Sequence, residues 1–332
     1  MDLDAYVLAH QHEWARLHEL SSRRGRLSGA EADELLDLYQ RVATHLSEIR
    51  SRSPEPTLVA HLSSMLATAR LRSVGTRTVS LNDIVRFFTD TFPAALYRNR
   101  RWWVTTMAVN VVAAWVIGWW FVANPGFESA LLDPSEVDQL VNSDFASYYS
   151  EYAAGSFALK VWTNNAWVAA LCIALGVLGV PVILLLLNNI LNVALIGALM
   201  WSHDRAGLFF GLILPHGMLE LTAVFVAAGV GLRIFWAWIE PGPRRRLDAV
   251  AQEGRTAMSV ALGLAVVLLV SGVIEAFVTP SPLPTWARIA IGFLAWGAFM
   301  AYVFTVGRWA VRRGSTGDVS ARDAGDLAPV VG

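Results

Sequence analysis

The sequence has few of the residues that cross-link secreted proteins or attract nucleic acid. Cys172 is the only cysteine among 332 residues, which excludes an internal disulfide. Lys160 is the only lysine, and charged residues make up 16% of the chain, whereas a soluble domain is about a quarter charged. The net charge is −1, so no overall attraction to nucleic acid is expected. These shortages argue against a disulfide scaffold, a nucleic-acid binder and an ordinary soluble enzyme.

Apolar residues dominate instead. Hydrophobic residues make up 55% of the sequence, with 14 Trp and 15 Phe, and the mean hydropathy is +0.45. Uncharged runs of about 20 residues are long enough, as helices, to cross a bilayer core of ~30 Å. We therefore predict an all-α fold: a polytopic α-helical membrane protein of about six spans with an N-terminal helical bundle. The predicted spans are 103–123, two within 163–202, 206–239, 258–279 and 286–309.

The run 206–239 has 34 residues, which is too long for one straight span, and it contains Pro215. Proline removes a backbone donor and kinks or ends a helix. We therefore predict that this span is broken or re-entrant at Pro215. Four spans with a re-entrant hairpin would also leave both termini on the same side of the membrane, and this arrangement remains an alternative.

The charged N-terminal part is predicted to be a cytoplasmic helical domain over residues 1–79. Ser28 is a predicted helix N-cap, with Glu31 placed to complete a capping box. Apolar residues then recur at three- and four-residue steps, as on one face of a helix: Leu35, Leu38, Val42, Leu46 and Ile49. Five histidines lie here (His10, His12, His18, His45 and His61). Their spacing fits solvated or capping roles as well as ligation, so no metal site is predicted.

Residues 80–101 are predicted to form an amphipathic interfacial linker helix, with Ser80 as its N-cap. Its apolar side ends in Arg98, Arg100 and Arg101, which suits contact with anionic lipid at a membrane surface. Packing of this helix on the N-terminal domain is the alternative.

The multi-pass membrane domain is predicted to cover residues 102–310, with an external acidic loop at 124–162 and a disordered cytoplasmic tail at 311–332. No basic and apolar leader precedes the first span, so that span is expected to be an uncleaved anchor. Short basic loops favour the cytoplasmic side, and six spans put every basic cluster there. The clusters are Arg98, Arg100 and Arg101; Arg244, Arg245 and Arg246; and Arg308, Arg312 and Arg313. We therefore predict that both termini are cytoplasmic.

Polar residues inside the predicted spans are the candidate site, because such groups are costly in a bilayer and face a protein interior or a cavity. His216 and Glu220 lie one helical turn apart on the same face. The candidate intramembrane residues are Pro215, His216, Gly217, Glu220, Asn188, Asn189 and Asn192, with Arg233 and Glu275 as secondary ones.

Four interpretations of His216 and Glu220 stay open. They are a structural hydrogen-bonded pair held against the asparagines, a crevice for a partner or ligand, a metal or catalytic centre, and an ion relay. The HExxH, P-loop, GxSxG and CxxC motifs are absent from the sequence. No catalytic residue, metal ligand or cofactor is therefore predicted.

Three segments resemble the SpoIIM family, the stage II sporulation protein M family. They are the run from Phe87 to Arg101, an Asn-rich turn at Asn188–Asn192, and Leu214–Leu221, which contains a PHGxxE motif. The resemblance implies a multi-pass helical fold. It also implies a membrane scaffold, as in the sporulation member that joins two peptidoglycan-remodelling enzymes. The N-terminal helical domain is an addition to that member, so a sporulation role is not carried over.

From this resemblance we expect a non-enzymatic scaffold or assembly factor in the bacterial plasma membrane. The expected partners are membrane lipid and other envelope or membrane proteins, with a homo-oligomer possible and no nucleic acid. The loop residues Tyr148, Tyr149 and Tyr152 are candidates for docking. The alternative function is a membrane transporter or an intramembrane enzyme centred on His216 and Glu220.

Overall fold

The computed structural model describes residues 2–23, 27–52, 55–74, 81–131, 133–145 and 154–318. Every regular element in these ranges is helical, and six helices are long and apolar enough to cross a membrane. The predicted fold class is therefore confirmed. The chain divides into two compact units, Met1–Ser80 and Leu81–Gly332.

The N-terminal unit contains three helices: α1 (Leu3–Ser22), α2 (Gly29–Arg52) and α3 (Pro56–Val74). The predicted capping box forms at the start of α2. The Ser28 amide donates to the Glu31 carboxylate at 2.8 Å, and the Glu31 amide donates to the Ser28 hydroxyl at 3.3 Å. The periodic apolar residues of α2 form the core together with Trp14, Leu17 and Leu20 of α1 and Leu62, Met65 and Leu66 of α3.

Six spans form the second unit. They are span 1 (Arg100–Ala123), span 2 (Ala158–Leu178), span 3 (Val180–Ser202), span 4 (Ala206–Ile239), span 5 (Arg246–Val278) and span 6 (Thr285–Arg312). Six crossings bring the two ends of this unit to the same side of a membrane.

Span 4 is the centre of the bundle and contacts all five other spans. Within its most apolar window 67% of the residues are buried, against 17% in spans 1 and 6. Glycine allows this close packing. A Cβ added to Gly231 would lie 2.2 Å from the carbonyl oxygen of Cys172 in span 2, and one added to Gly229 would lie 2.5 Å from the Cα of Trp103 in span 1.

The predicted break at Pro215 is wrong, because span 4 is one continuous helix of 34 residues with Pro215 inside it. Proline is tolerated in a membrane helix when neighbouring helices cover the backbone groups that it frees. Span 6 packs closely against this turn of span 4. Pro215 is buried, and a Cβ added to Gly292 would lie 2.2 Å from the Pro215 carbonyl oxygen.

The Asn-rich segment is not a turn. Spans 2 and 3 are joined at Gly179, which has a φ of 70° that glycine adopts without strain. Asn188 and Asn192 are the ninth and thirteenth residues of the 23-residue span 3. They therefore lie about 12 and 18 Å from its start, near the middle of the helix.

The linker consists of α4 (Leu81–Arg86), a π-helical turn (Phe87–Thr91) and α5 (Phe92–Arg98). It belongs to the membrane unit. Phe92 is buried against Gly263 of span 5, and the Tyr302 hydroxyl of span 6 donates to the Phe88 carbonyl oxygen at 2.6 Å. Its first half is exposed, including Leu81 and Val85. Contact of that half with a membrane surface stays a prediction.

The segment after span 1 contains short helices at Pro125–Leu131 and Pro134–Gln139 and a π-helical turn at Leu140–Asp144. Two polar contacts hold it to the turn between spans 3 and 4. His203 lies 2.8 Å from Glu128, and Arg205 donates to Asn142 at 2.7 Å. This segment and that turn are therefore on the same end of the bundle. The predicted docking tyrosines, Tyr148, Tyr149 and Tyr152, lie outside the described residues.

The predicted disordered tail begins too early. Residues 308–312 are the last helical turn of span 6, and Arg313 pairs with Asp90 of the linker. The Ser315 hydroxyl donates to the Asp90 carbonyl oxygen at 3.3 Å. These contacts order the chain up to residue 318, and the rest of the prediction, 319–332, lies outside the described residues.

The Gly231 contact predicts a clear mutational effect. In Gly231→Ala the new Cβ is forced against the span 2 backbone, and overpacking of this kind costs about 1–3 kcal/mol. We expect a lower midpoint of thermal unfolding in mild detergent. Gly254→Ala is the matched control, because its Cβ meets nothing within 4 Å and alanine favours the helix by up to about 1 kcal/mol. Equal midpoints for the two variants would contradict the packing described for span 4.

Candidate functional site

Three ionisable side chains meet between spans 4 and 5. His216 and Glu220 lie on span 4, and Glu275 lies in the last turn of span 5. One nitrogen or oxygen atom from each lies within 4.8 Å of the others. His216 and Glu275 are each 4% exposed, whereas Glu220 is partly exposed. The sequence analysis named all three residues, and the structure brings them together as one polar site.

The His216 ring is oriented by span 5. Its Nδ1 lies 3.3 Å from the Thr279 hydroxyl oxygen, and that hydroxyl donates to the Ile274 carbonyl oxygen at 3.5 Å. The Thr279 oxygen can accept a proton from Nδ1 in the tautomer that carries it there, and the hydroxyl can donate to Nδ1 in the other tautomer. The other ring nitrogen, Nε2, lies 3.8 Å from Glu275 Oε1.

The two carboxyl groups have different surroundings. The Glu220 carboxyl has the polar side chains of Ser271 and Asn165 near it. Glu275 Oε2 is buried and has no hydrogen-bond partner among the described residues. Within the described part of the chain, neither carboxyl pairs with an arginine or a lysine. Two acidic groups therefore share an interior site in which, among the described residues, His216 is the basic side chain beside them.

Sequence reasoning missed three members of this site: Asn165, Ser271 and Thr279. Two of them carried a signal, because Ser271, Glu275 and Thr279 follow one another at four-residue steps. That spacing places them along one face of a helix. Asn165 is a polar residue in an otherwise apolar span, but no spacing connects it to span 4. Its position became evident only from the packing of span 2 on span 4.

The asparagines of span 3 do not contact His216 through any hydrogen bond found among the described residues. Asn188 and Asn192 are exposed, and the Asn192 amide donates to the Asn188 carbonyl oxygen at 2.8 Å. Asn189 is half-buried, and its buried Oδ1 has no partner in the described part of the structure. The structure therefore separates the predicted site into an interior part and an exposed part on span 3.

A groove lies between spans 1 and 3. Its volume is about 640 Å³. The lining is mostly apolar, with Thr105, Thr106 and Asn110 from span 1. Leu184, Asn188 and Asn192 do not line this groove; they follow one another at four-residue steps and form an exposed stripe along span 3. We call these three residues and the groove the lateral face.

Arg233 lies in neither part of the site. Its guanidinium donates two hydrogen bonds to Glu253 of span 5, at 2.7 and 3.0 Å. Glu253 is 8% exposed, so the pair balances its own charge inside the bundle. Such a two-point pair is specific in its geometry, and it joins spans 4 and 5 toward the opposite end from Glu275.

A comparison with protein families matches residues 107–280 to Stage II sporulation protein M. This is more than half of the chain. The chain belongs to the SpoIIM family. The SpoIIM match contains the whole polar site, from Asn165 to Thr279, together with the asparagines of span 3. The family resemblance in the sequence is thereby confirmed.

The SpoIIM match does not include the N-terminal unit. Residues 4–75 match a separate domain of unknown function (DUF8413). Comparisons with curated proteins and with solved structures found no match. The SpoIIM membership therefore describes the membrane unit, and the three-helix unit is a second module.

The N-terminal unit contains another group of ionisable residues. His10 Nδ1 and His45 Nε2 each lie 3.8 Å from Glu13 Oε2. Here, however, the Trp14 indole N–H donates to His45 Nδ1 at 3.3 Å. Nδ1 must be unprotonated to accept this bond, so neutral His45 carries its proton on Nε2, toward Glu13. This arrangement favours a hydrogen-bonded structural cluster over a metal centre.

The His45 contact predicts a pH dependence. Burial, and secondarily the neighbouring His10, lowers the pKa of His45. Since the ordinary pKa is about 6.5, the stability contributed by neutral His45 is present above that value. It is lost as the pH falls through 6.5 toward the lower folded-state pKa. We expect faster amide hydrogen exchange in α1 and α2 at pH 5 than at pH 7.5, after correction for the intrinsic rate.

The control for this measurement is a histidine of α1 in the same three-helix unit. His45→Gln should reduce the pH dependence, whereas His12→Gln should keep it, because His12 is exposed. A pH dependence that is unchanged in His45→Gln would show that other groups cause it.

Proposed function

We propose that this protein is a non-enzymatic membrane scaffold that holds other envelope proteins together, in a peptidoglycan-remodelling complex. The observation that carries the proposal is the lateral face, where Asn188 and Asn192 are exposed near the middle of a membrane span. SpoIIM family membership supports it, since the sporulation member of the family is a scaffold of this kind.

The amide chemistry of the lateral face favours a protein partner. Lipid chains offer no hydrogen-bond donor or acceptor, so an amide in the bilayer core is stabilised by a polar group on another helix. The Asn188 side chain has no hydrogen-bond partner among the described residues, whereas the Asn192 amide already donates within its own helix. Asn188 is therefore the stronger candidate for a bond between helices.

The groove between spans 1 and 3 suits a membrane helix as well. Its apolar walls, including Ile183, Leu187 and Val109, would pack against the side chains of a helix that lies beside span 3. Thr105 and Thr106 add hydroxyl groups to its lining. We infer that the partner contributes a membrane helix with apolar side chains and at least one hydrogen-bonding side chain.

The distribution of charged residues favours one orientation of the scaffold in the membrane. We propose a location in the bacterial plasma membrane, with both termini in the cytoplasm. The acidic segment after span 1 would then face the cell wall, next to the turn between spans 3 and 4 that it contacts. The N-terminal three-helix unit would be available to a cytoplasmic partner.

Cysteine labelling tests this orientation. We expect Ser135→Cys to react with a membrane-impermeant thiol reagent in intact cells, since Ser135 is exposed in the segment after span 1. Ser28→Cys, at the start of α2, should react only after the cells are permeabilised. Cys172 is fully buried and gives little background. Labelling of Ser28→Cys in intact cells would contradict the orientation.

Site-specific crosslinking tests the lateral face. A photoreactive amino acid at Leu184, which is 59% exposed, should form a discrete adduct in native membranes. We expect the adduct to contain a membrane-anchored envelope protein, identified by mass spectrometry. Replacing Asn188 and Asn192 with Leu should reduce its yield at least about tenfold, the equivalent of 1.4 kcal/mol.

Two controls accompany the crosslinking. Asn164→Leu makes the same replacement at an exposed position on span 2 and should keep the adduct. Glu220→Gln should also keep it, because the interior site is separate from the lateral face, whereas a transporter or enzyme centred on His216 and Glu220 would lose its function in this variant. Adducts with lipid alone, or only with a second copy of the chain, would contradict the scaffold proposal.

A further inference from the structure

The interior site has the composition of a metal centre. His216 offers an imidazole nitrogen, and Glu220 and Glu275 each offer a carboxylate oxygen, with these atoms within 4.8 Å of one another. Ligand atoms about 2.0–2.2 Å from a tetrahedral zinc ion are roughly 3.3 Å apart. The separation of His216 Nε2 and Glu275 Oε1, 3.8 Å, is near that value. Small changes in the side-chain conformations of Glu220 and Glu275 would bring the three ligand atoms to the separations that a bound zinc ion requires.

The orientation of the His216 ring also fits a metal site. A metal-bound histidine usually donates its other ring N–H to a fixed acceptor, which aims the free nitrogen at the metal. The Thr279 hydroxyl oxygen, 3.3 Å from Nδ1, would serve as such an acceptor. The Ser271 hydroxyl further holds this turn of span 4 by donating to the His216 carbonyl oxygen at 3.1 Å. His45 of the N-terminal unit has the opposite arrangement, since Trp14 donates to its Nδ1.

The charge and burial of the two glutamates give an independent reason to expect a bound cation. Glu275 is 4% exposed, and its Oε2 has no partner among the described residues. A buried charge is stable only when it is paired, hydrogen-bonded or bound to a metal. One divalent cation would neutralise two ionised carboxylates and would supply the missing partner of Glu275. Glu220, the partly exposed member, leaves a side from which an ion could enter.

We propose that His216, Glu220 and Glu275 bind one divalent transition-metal ion between spans 4 and 5, with Thr279 as the residue that positions His216. Three protein ligands leave a fourth position for water or another ligand. The imidazole nitrogen favours zinc, iron or a similar metal over calcium and magnesium, which require more oxygen ligands.

The proposed metal would have a local structural effect. Span 5 ends at Val278, a few residues after Glu275, so the ion would hold the end of span 5 against span 4. Arg233 and Glu253 join the same two spans elsewhere along their length. The site is separate from the lateral face, so the scaffold proposal and the metal proposal can fail independently.

Metal analysis of the full-length protein tests the proposal. The protein would be purified in mild detergent through an affinity tag without histidine and analysed by inductively coupled plasma mass spectrometry. After removal of metal with a chelator, it would be titrated with Zn²⁺, Mn²⁺ and Mg²⁺. We expect about one bound transition-metal ion per chain and weaker binding of Mg²⁺.

Four variants locate the ion. Glu275→Gln, Glu220→Gln and His216→Ala should each weaken Zn²⁺ binding at least about a hundredfold, because each removes a ligand. Thr279→Val should weaken it about 10- to 100-fold, the usual effect of losing the partner of a metal-bound histidine. Thr279→Val keeps all three ligands and nearly the same shape, so its effect separates metal binding from a general loss of structure.

The controls remove other groups. Glu253→Gln changes another buried glutamate of span 5, and His45→Gln disrupts the cluster in the N-terminal unit; both should keep the metal. Each variant would be compared only after it elutes as a single species. A monodisperse wild-type protein that contains no metal and does not bind Zn²⁺ or Mn²⁺ would overturn the proposal. So would binding that survives in Glu275→Gln and Glu220→Gln or that is lost in His45→Gln.

Discussion

Close contact between span 4 and its neighbours is the constraint on which the membrane unit depends. In a bilayer the lipid chains are as apolar as the side chains, so helices associate through tight packing and hydrogen bonds. Gly229, Gly231 and Gly292 bring backbones together around span 4 at positions where even a methyl group does not fit. The other spans are arranged around this contact, and they leave their outer faces to lipid or to partners.

The same packing explains both parts of the polar site. Span 6 packs closely against Pro215, and span 4 continues as one helix and brings His216 and Glu220 against Ser271, Glu275 and Thr279 of span 5. Span 3 turns a different face inward, with Leu186 and Ile190 in the core. Asn188 and Asn192 are consequently left outside. An interior polar site and an exposed outer face thus arise from one arrangement of helices.

Several predictions failed for the same physical reason. A break at Pro215, a turn at Asn188–Asn192 and disorder directly after residue 310 were each inferred from local residue preferences. In the structure, Gly292 supports the proline, the neighbouring spans bury one side of the asparagine-containing helix, and Asp90 holds Arg313 and Ser315. Each of these contacts joins residues far apart in the chain, so no local pattern reports it.

The sequence by itself determined the helical class, the helical N-terminal unit, its capping box and core, and the family, and it favoured about six spans over a four-span alternative. These features follow from short-range periodicity, hydrophobic length and motif, all of which can be read along the chain. It also identified His216, Glu220 and Glu275 as costly residues for a membrane. Only the tertiary structure decided that these three meet, that Asn165, Ser271 and Thr279 surround them, and that Asn188 and Asn192 face outward. The reason is that the packing of one helix on another sets which of its faces is interior, and helical spacing alone leaves that choice open.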